Sequence, residues 1–361
     1  MLLLDLFAVT TSFLGLFFIK TVAAQIICPI DGTVVNNFAC CPFVAVKSDL
    51  LANVFDGTCG ANAAAVIRLA FSDAIGFSIN TDKGGGADGS IITFPVELTF
   101  PQNVGLDCIV KIIDNVAGER GVSRGDAIHF AASIALSLCP GAPVVQTFVG
   151  RPEANRPAAP NTIPNPFDPA NTIFARMQDA GFSPTELVAL LAAHSIGSQH
   201  DVDPTIPGAP FDTTPGSFDS QFFLETLLRG TLFPGDGPHQ GEATSPLPGE
   251  FRLQSDFTCA RDPRTACTWQ SFVSNQTLMA ARFATAMAKL TLLGQDVLTL
   301  TDCTELIPRS PPAASQAVFP ATKSRSDIEQ ACAISLFPST LKTLVGPTPT
   351  VLPVPPQSVC I

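Results

Sequence analysis

The sequence predicts a mainly α-helical protein that forms one large domain or two lobes sharing a core. Apolar residues recur at helical spacing along most of the chain, whereas alternating runs rich in Val, Ile and Thr are scarce, so any β-sheet should be small. At 361 residues and 46% hydrophobic content, the chain can bury a substantial interior. The predicted helices span 43–55, 61–72, 104–116, 123–138, 169–180, 184–196, 220–228 and 269–293, with long Pro-, Gly- and Asp-rich connections.

The segment 184–196 carries the first candidate functional residue. Ser183 and Glu186 have the spacing of a capping box, and Pro184 suits the first helical position. The residues that follow are almost all apolar, which predicts a buried helix, yet it presents one histidine, His194. A buried imidazole needs a polar partner. It is either a core histidine bonded to a carbonyl or part of a site, and further features of the chain favour a site.

The N-terminus predicts export. Residues 1–24 hold a strongly apolar segment followed by the small-residue pattern Val22-Ala23-Ala24, which is typical of a cleaved secretory signal peptide. An uncleaved membrane anchor is the alternative interpretation. The formal net charge of −11 argues against nucleic acid or an anionic membrane surface as partner.

Other features agree with an exported protein. Eleven cysteines predict several disulfides and at least one unpaired thiol, although spacing alone does not give their connectivity. The sequon Asn275-Gln276-Thr277 predicts glycosylation at Asn275. The Pro-rich segment 337–361 should run as an extended strap over the surface.

The helix 61–72 carries a second candidate. Helical spacing places Arg68 and Ser72 on one face, with Phe71 beside them. An arginine in so apolar a helix is costly unless it serves a site or reaches a partner. An arginine whose stem lies on the surface while its head group reaches solvent is an equally acceptable interpretation of this helix alone.

An oxygen-rich loop follows each of these two helices. The loop 83–90 offers a carboxylate, a hydroxyl and accessible carbonyls, and Asp73 could reach the same point. The loop 211–219 offers two carboxylates and two threonine hydroxyls, and Ser195 adjoins the candidate histidine. Hard oxygen ligands collected from loops suit Ca²⁺. Each loop alone could be ordinary turn chemistry, but two clusters beside two candidate helices favour calcium sites.

Together these residues resemble the secreted fungal (class II) haem peroxidases of the plant-type superfamily, which include the manganese, lignin and versatile peroxidases. The resemblance runs from about residue 28 to the Pro-rich tail, and it rests on segments 68–74, 86–90, 193–195, 210–219 and 253–256. It implies a distal lobe of about 25–165 and a proximal lobe of about 166–336 that clamp haem b, with a Ca²⁺ in each. It also implies an extracellular monomer that uses H₂O₂ to oxidise small aromatic donors and that binds neither nucleic acid nor, after signal cleavage, a membrane.

The resemblance also implies a role for each matching residue. His194 is expected to bind the haem iron, with Asp256 accepting the Nδ1 proton of the imidazole. Phe71 and Phe211 are expected to contact the haem, and Arg68 to stabilise charge on the departing peroxide oxygen. The distal calcium ligands would be Asp73, Gly86, Asp88 and Ser90, and the proximal ones Ser195, Asp212, Thr214, Ser217 and Asp219. The disulfides would be Cys28–Cys41, Cys40–Cys303, Cys59–Cys139 and Cys267–Cys332, which leaves Cys108, Cys259 and Cys360 without an assigned partner.

One departure from the family pattern concerns peroxide activation. Ser72 stands where the family has its distal histidine, the general base that moves a proton from one oxygen of bound H₂O₂ to the other. A serine hydroxyl does not hold that proton at neutral pH. Glu97 and Asn103 match the residues that orient the missing imidazole, so its supporting network is retained.

Two further departures concern the reducing substrate. Manganese-oxidising members use three carboxylates where this chain has Ala61, Ala65 and His200, so a tight Mn²⁺ site is not expected. Lignin and versatile peroxidases relay electrons through an exposed tryptophan where this chain has Ala189. Its one tryptophan, Trp269, lies elsewhere and is expected to be buried.

Three functional hypotheses remain open at this stage. The first is a secreted haem peroxidase that activates peroxide slowly and oxidises small phenols at the haem edge. The second is a haem-binding protein with little or no turnover, and the third is a calcium-stabilised scaffold without haem. The joint match of the iron ligand, its carboxylate partner and both calcium sites favours haem binding. Arg68 favours catalysis, whereas Ser72 argues against a fast reaction with peroxide.

Overall fold

The computed structural model describes residues 25–29, 31–313, 316–329 and 332–356, and over these ranges the protein is mainly helical, as predicted. The predicted signal peptide, 1–24, lies outside the described residues. The helices are α1 (Cys41–Asp49), α2 (Ala61–Ala74), α3 (Ser90–Thr93), α4 (Asp107–Arg120), α5 (Arg124–Leu138), α6 (Ala170–Asp179), α7 (Pro184–Leu190), α8 (Gln221–Leu227), α9 (Gln254–Arg261), α10 (Ala266–Val273) and α11 (Gln276–Leu290).

The β-structure of the described residues is minimal. Each strand has two residues and pairs with one antiparallel partner, so no extended sheet forms. The pairs are β1 (Ile26–Ile27) with β2 (Val34–Val35), β3 (Phe148–Val149) with β8 (Thr301–Asp302), β4 (Ser198–Gln199) with β5 (Ala209–Pro210), and β6 (Glu242–Ala243) with β7 (Arg252–Leu253).

The predicted helix 184–196 consists of an α-helix followed directly by a 3₁₀-helix. The capping box of Ser183 and Glu186 is present, as predicted, and the α-helical part, α7, ends at Leu190. The segment Leu191–Ile196, which carries His194, is a 3₁₀-helix. Its last turn is tightened by the Ser195 hydroxyl, which donates to the Ala192 carbonyl oxygen at 2.8 Å. Such tightening is common at helix C-termini.

The prediction of a single helix over 269–293 is wrong. The structure has α10 and α11 there, separated at Asn275. The Asn275 side chain accepts a hydrogen bond from the Leu278 N–H at 3.0 Å and caps α11. An asparagine that satisfies the first N–H groups of a helix begins a new helix rather than continuing an old one. Helices α3 and α9 were not predicted, and α9 carries Asp256.

The packing of the helices brings the two candidate segments together. Helix α2 packs most extensively on α5, and it also approaches the 3₁₀ segment that carries His194. Behind that segment, Phe222, Phe223 and Trp269 form a buried aromatic cluster with ring centroids 4.9–5.3 Å apart. Trp269 is fully buried, as expected from the sequence. The imidazole therefore packs against a rigid cluster of aromatic side chains.

Disulfides join distant parts of the chain. The structure contains Cys28–Cys41, Cys40–Cys303, Cys59–Cys139 and Cys267–Cys332, the same pairs that the resemblance implied. Cys108 is also disulfide-bonded, whereas Cys259 is free and buried, and burial raises the pKa of its thiol to about 12. Cys360 lies outside the described residues. Removing a native disulfide from a secreted domain typically costs about 2–5 kcal/mol.

The described part of the tail, 337–356, contains no helix and crosses the surface as extended chain. Backbone hydrogen bonds attach it at several points: Leu344 N–H donates to Phe319, Val351 to Pro248 and Val354 to Gly208, at 2.8–2.9 Å. No helix among the described residues is long and apolar enough to cross a membrane.

Candidate functional site

His194 makes a close contact with the buried carboxylate of Asp256. Its Nδ1 lies 2.8 Å from Asp256 Oδ2. The Asp256 side chain is 2% exposed, whereas the imidazole is 29% exposed. Because Nδ1 is engaged by the carboxylate, Nε2 is the ring nitrogen left to bind a metal. The second carboxylate oxygen, Oδ1, is buried without a hydrogen-bond partner in the structure.

Two phenylalanines hold the imidazole in place. The ring centroids of Phe211 and Phe222 lie 5.2 and 5.7 Å from that of His194. Gly197 allows Phe211 this close approach, since a Cβ at residue 197 would lie 2.9 Å from the Phe211 ring. The sequence therefore provides a histidine with one accessible nitrogen, one carboxylate partner and an apolar surround.

Arg68 on α2 is held by the loop that also carries Asn103. Its Nη2 donates to the carbonyl oxygens of Gln102 and Val104, each at 2.9 Å. Solvent reaches the Arg68 side chain, yet burial by the surrounding protein lowers its pKa. The two facts together place the guanidinium in a recess, where it can act on a bound anion rather than on bulk water.

Ser72, Glu97 and Asn103 are all buried. Asn103 Nδ2 donates to the Glu97 carbonyl oxygen at 2.9 Å, and Glu97 Oε1 accepts the Ala158 N–H at 2.9 Å. Burial raises the pKa of Glu97 to about 7. Asn103 Oδ1 is a buried acceptor with no donor in the structure. Glu97 and Asn103 thus form a connected pair in which one acceptor has no partner.

The first oxygen-rich group gathers Asp73, Asp88 and Ser90. Asp73 accepts the Gly89 N–H at 3.0 Å, and Asp88 accepts the Ser90 N–H at 3.0 Å. Gly85 is required beside it, since a Cβ there would lie 1.8 Å from Asp88 Oδ2. Burial raises the pKa of both carboxyl groups to about 7. Two adjacent buried carboxylates fit a bound cation such as Ca²⁺.

The second group gathers Asp212, Thr214 and Asp219. Thr214 links the two carboxylates: its N–H donates to Asp212 Oδ1 at 2.7 Å, and its hydroxyl donates to Asp219 Oδ1 at 3.0 Å. Asp212 is fully buried, its Oδ2 has no partner, and burial together with the Asp219 charge raises its pKa well above the usual value. Ser195, next to His194, is fully buried. This donor set also fits Ca²⁺.

The residues that stand in place of the family's manganese ligands lie near Arg68. Ala61 and Ala65 are half-buried on α2, and His200 is exposed. A Cβ at Gly105 would lie 3.7 Å from Asp201 Oδ2 and 4.0 Å from Arg68 Nη1, so the Asp201 carboxylate lies close to this recess. Partial desolvation by the surrounding protein lowers the pKa of His200; the Asp201 charge opposes this effect, and the charge on Arg68 adds to it. Ala189 is buried.

Sequence reasoning missed two further polar groups. His129 on α5 is fully buried, and its Nε2 lies 3.1 Å from Asp73 Oδ2. A lone histidine in an apolar helix was the available signal. Asp203, Asp236 and His239 form a second group, with ligand atoms within 4.8 Å of one another, and could hold a metal ion. Asp236 and His239 are neighbours in one loop and Asp203 comes from another, so no local pattern reveals the whole group.

Comparison with known proteins identifies the family. The peroxidase family model matches residues 46–275, and the fungal peroxidase extension region matches 278–356. The chain is 49% identical to ligninase H2 of Phanerodontia chrysosporium, covering 92% of this chain and 91% of that protein. It is 47% identical to manganese peroxidase 3 of Phlebia radiata, covering 92% and 94%.

The match spans nearly the whole chain, and the extension region accounts for the extended tail that the fold shows. The peroxidase model covers the helices that carry Arg68 and His194. Several disulfides agree with the extracellular location of a secreted fungal enzyme. The chain therefore belongs to the fungal class II peroxidases, haem enzymes that use H₂O₂, and is related to the lignin and manganese peroxidases.

Proposed function

We propose that this protein binds haem b through His194 and uses H₂O₂ to oxidise small phenolic or similar donors at the haem edge, with slow activation of peroxide. The observation that carries the proposal is the 2.8 Å contact between His194 Nδ1 and the buried carboxylate of Asp256. A bound haem would supply the redox chemistry. The protein's own residues bind and orient the reactants and control the protons.

On the proximal side, Asp256 accepts the Nδ1 proton of His194. This hydrogen bond fixes the tautomer, directs Nε2 to the iron and increases the basicity of the imidazole. Phe211 and Phe222 cover part of the ring and fix its orientation, since the centroids of both lie within 6 Å of the imidazole centroid. Phe71, half-buried on α2, is proposed to contact the haem on the opposite side.

On the distal side, Arg68 supplies a permanent positive charge. Its guanidinium is anchored by the Gln102 and Val104 carbonyls and can stabilise negative charge on a departing oxygen. It does not move a proton, because it stays protonated. We propose that proton transfer is slow because Ser72 stands in place of the family's distal histidine. The unpartnered Asn103 Oδ1 supports this assignment, since an imidazole N–H would satisfy it.

The proposed electron donor is a small aromatic molecule rather than Mn²⁺. The names of the relatives refer to lignin and to manganese, but this chain has Ala61 and Ala65 in place of two expected carboxylates. Ala189 and Trp269 are both buried and offer no exposed indole. Oxidation at the haem edge requires neither feature.

A haem protein with little or no turnover is the second candidate. Ser72 and the unpartnered Asn103 Oδ1 favour this second candidate, because both fit a distal side without a residue that transfers protons. Arg68 favours the peroxidase, since a protein that only stores haem has no use for a recessed guanidinium beside the site.

The calcium sites and the processing of the chain complete the proposal. One Ca²⁺ would bind to Asp73, Gly86, Asp88 and Ser90, and a second to Ser195, Asp212, Thr214, Ser217 and Asp219. Two lobes, about 25–165 and 166–336, would enclose the haem after removal of the signal peptide 1–24. Asn275 is exposed, and its Nδ2 is proposed to carry a glycan while its Oδ1 caps α11.

Stopped-flow mixing of the haem-loaded protein with H₂O₂, followed by steady-state oxidation of a phenol, tests the function. We expect a slow, saturable Soret change and phenol oxidation that depends on peroxide. Haem-loaded protein that shows a Soret change with no phenol turnover above free haem would establish the second candidate instead. Protein that does not bind haem would remove both.

A further inference from the structure

A carboxylate and histidine cluster lies apart from the residues assigned to haem and calcium. It consists of Asp203, in the segment between β4 and β5, and of Asp236 and His239, from the segment that leads into β6, with Glu242 beside them at the start of β6; we call it the Asp203 cluster. His239 Nε2 lies 2.8 Å from Asp236 Oδ1 and 3.4 Å from Asp203 Oδ1. The Glu242 carboxylate accepts the His239 N–H at 3.1 Å. The Asp203 and Asp236 side chains therefore converge on the imidazole, and Glu242 holds the backbone N–H of the same residue.

Two carboxylate oxygens of this cluster are buried without a partner. Asp203 is fully buried, and its Oδ2 has no hydrogen bond in the structure. Glu242 is 7% exposed, and its Oε1 is likewise unpartnered. A buried carboxylate oxygen without a partner is destabilising, because nothing offsets the loss of its hydration. Two of them in one cluster indicate that a positive group is missing from it.

The cluster is held in shape before any ligand binds. Thr205 donates its N–H and its hydroxyl to Asp203 Oδ1, at 2.8 and 2.6 Å. Gln199 bonds both the N–H and the carbonyl oxygen of Asp203, at 3.1 and 2.9 Å. Gly235 makes room for the carboxylate, since a Cβ there would lie 1.8 Å from Asp203 Oδ2. Such supporting contacts are typical of a preorganised metal site.

We propose that the Asp203 cluster binds one divalent metal ion of the zinc class, with His239 Nε2 and carboxylate oxygens of Asp203 and Asp236 as ligands. An imidazole with carboxylates suits Zn²⁺, whereas Ca²⁺ takes six to eight oxygen ligands. Ligand atoms about 3 Å apart fit a metal–ligand distance of about 2 Å in a tetrahedral site. On binding, Zn²⁺ takes the place of the Nε2 proton, which is released to solvent.

The cluster also has an entry path. The Asp236 side chain is 68% exposed and that of His239 is 29% exposed, whereas Asp203 closes the inner end. The metal would reach Asp236 and His239 first. It would join two long loops of the proximal half, and its binding is independent of the haem chemistry proposed above.

Without a metal, a protonated His239 between Asp203 and Asp236 is the competing arrangement. The hydrogen bond that His239 donates to Asp236 raises the pKa of His239 and makes that state accessible. It leaves Asp203 Oδ2 unpartnered, which is why the metal is preferred. The two arrangements differ in whether the folded protein takes up Zn²⁺ at a single site.

Calorimetric titration of the haem-loaded full chain with ZnCl₂, in excess Ca²⁺, tests the proposal. We expect one Zn²⁺ per chain and a rise in the thermal midpoint. Asp236→Asn and His239→Gln should each weaken Zn²⁺ binding at least about tenfold and remove the thermal shift. The matched variants Glu119→Gln, an exposed carboxylate on α4, and His200→Gln, an exposed histidine, should leave both unchanged.

Asp236 is exposed, so its variant should fold, and the Soret spectrum reports on folding in every sample. No Zn²⁺ uptake would overturn the proposal. Equal uptake by Asp236→Asn, His239→Gln and the controls would also overturn it, as would a site that Ca²⁺ fills and Zn²⁺ does not displace.

Discussion

The substitution Ser72→His should accelerate the reaction with peroxide. It restores a group that can take a proton from one peroxide oxygen and return it to the other, which neither Ser72 nor Arg68 can do. We propose that Glu97 and Asn103 would orient the new imidazole. Asn103 is 1% exposed, it is anchored to Glu97 through Nδ2, and its Oδ1 is an acceptor without a donor.

The expected magnitude follows from the value of a positioned general acid/base, about 10²- to 10⁴-fold. In transition-state terms this is about 2.7–5.5 kcal/mol. We expect at least the lower end, because Arg68 is held by two carbonyls and needs no rearrangement. A bond from the new imidazole to Asn103 Oδ1 would also relieve an unsatisfied acceptor worth about 1–3 kcal/mol. The variant should therefore keep its thermal stability despite the larger side chain.

Stopped-flow rates of the Soret change against H₂O₂ concentration give the rate constant for each haem-loaded variant. Ser72→Ala is the matched control, since it changes the side chain without adding a base, and it should react as slowly as the wild type. The double variant Ser72→His/Asn103→Ala should lose part of the gain, because the imidazole is no longer oriented. The wild-type rate should rise with pH as hydroperoxide anion becomes available.

A wild type that already reacts as fast as Ser72→His would refute this account of the distal side. In that case, the variant Glu97→Gln tests whether Glu97 moves the proton instead. A fast wild type that Glu97→Gln slows would show that Glu97, acting through water, moves the proton.

The remaining predictions concern the metals. Exhaustive Ca²⁺ chelation should lower the thermal midpoint and change the iron spectrum together, because Asp73 follows Ser72 and Ser195 follows His194. A Ca²⁺ site at a free ion concentration of about one hundred times its Kd adds about 2.7 kcal/mol to the free energy of unfolding. Added Ca²⁺, but not Mg²⁺, should reverse both changes, and protein that metal analysis shows to be calcium-free without either change would disprove the calcium assignment. The wild type should show no Mn²⁺ oxidation with a micromolar KM. The variant Ala61→Glu/Ala65→Glu/His200→Asp should gain this activity, because it supplies three carboxylates. The control variant with Gln, Gln and Asn at the same three positions should not gain it.

Long periodic helices were the most predictable part of the fold. The helices 123–138 and 169–180 match α5 and α6 within one residue at each end, because caps and apolar spacing agree there. Helix α9 was missed since Gln254–Arg261 has little apolar periodicity, and packing against α8 rather than propensity stabilises it. The join at Asn275 was missed because apolar residues continue on both sides of it.

The central pair of the candidate site was also accessible from sequence, but only by resemblance. Nothing in the spacing of His194 and Asp256 predicts their contact, since the partners lie on different elements. The capping box before α7 is a local feature and was predicted from local residues alone. The Asp203 cluster is the opposite case, because loops that are remote in sequence assemble it, and its two unpartnered oxygens appear only in three dimensions.

The Soret spectrum of His194→Ala, compared with wild type and with His200→Ala, tests the central claim most directly. Wild type and His200→Ala should each bind one haem b with the same spectrum. His194→Ala should lose that spectrum while its circular dichroism is unchanged, and added imidazole, entering the vacated space, should restore it. A His194→Ala protein that binds haem with the wild-type iron spectrum would contradict the assignment of His194 as the iron ligand.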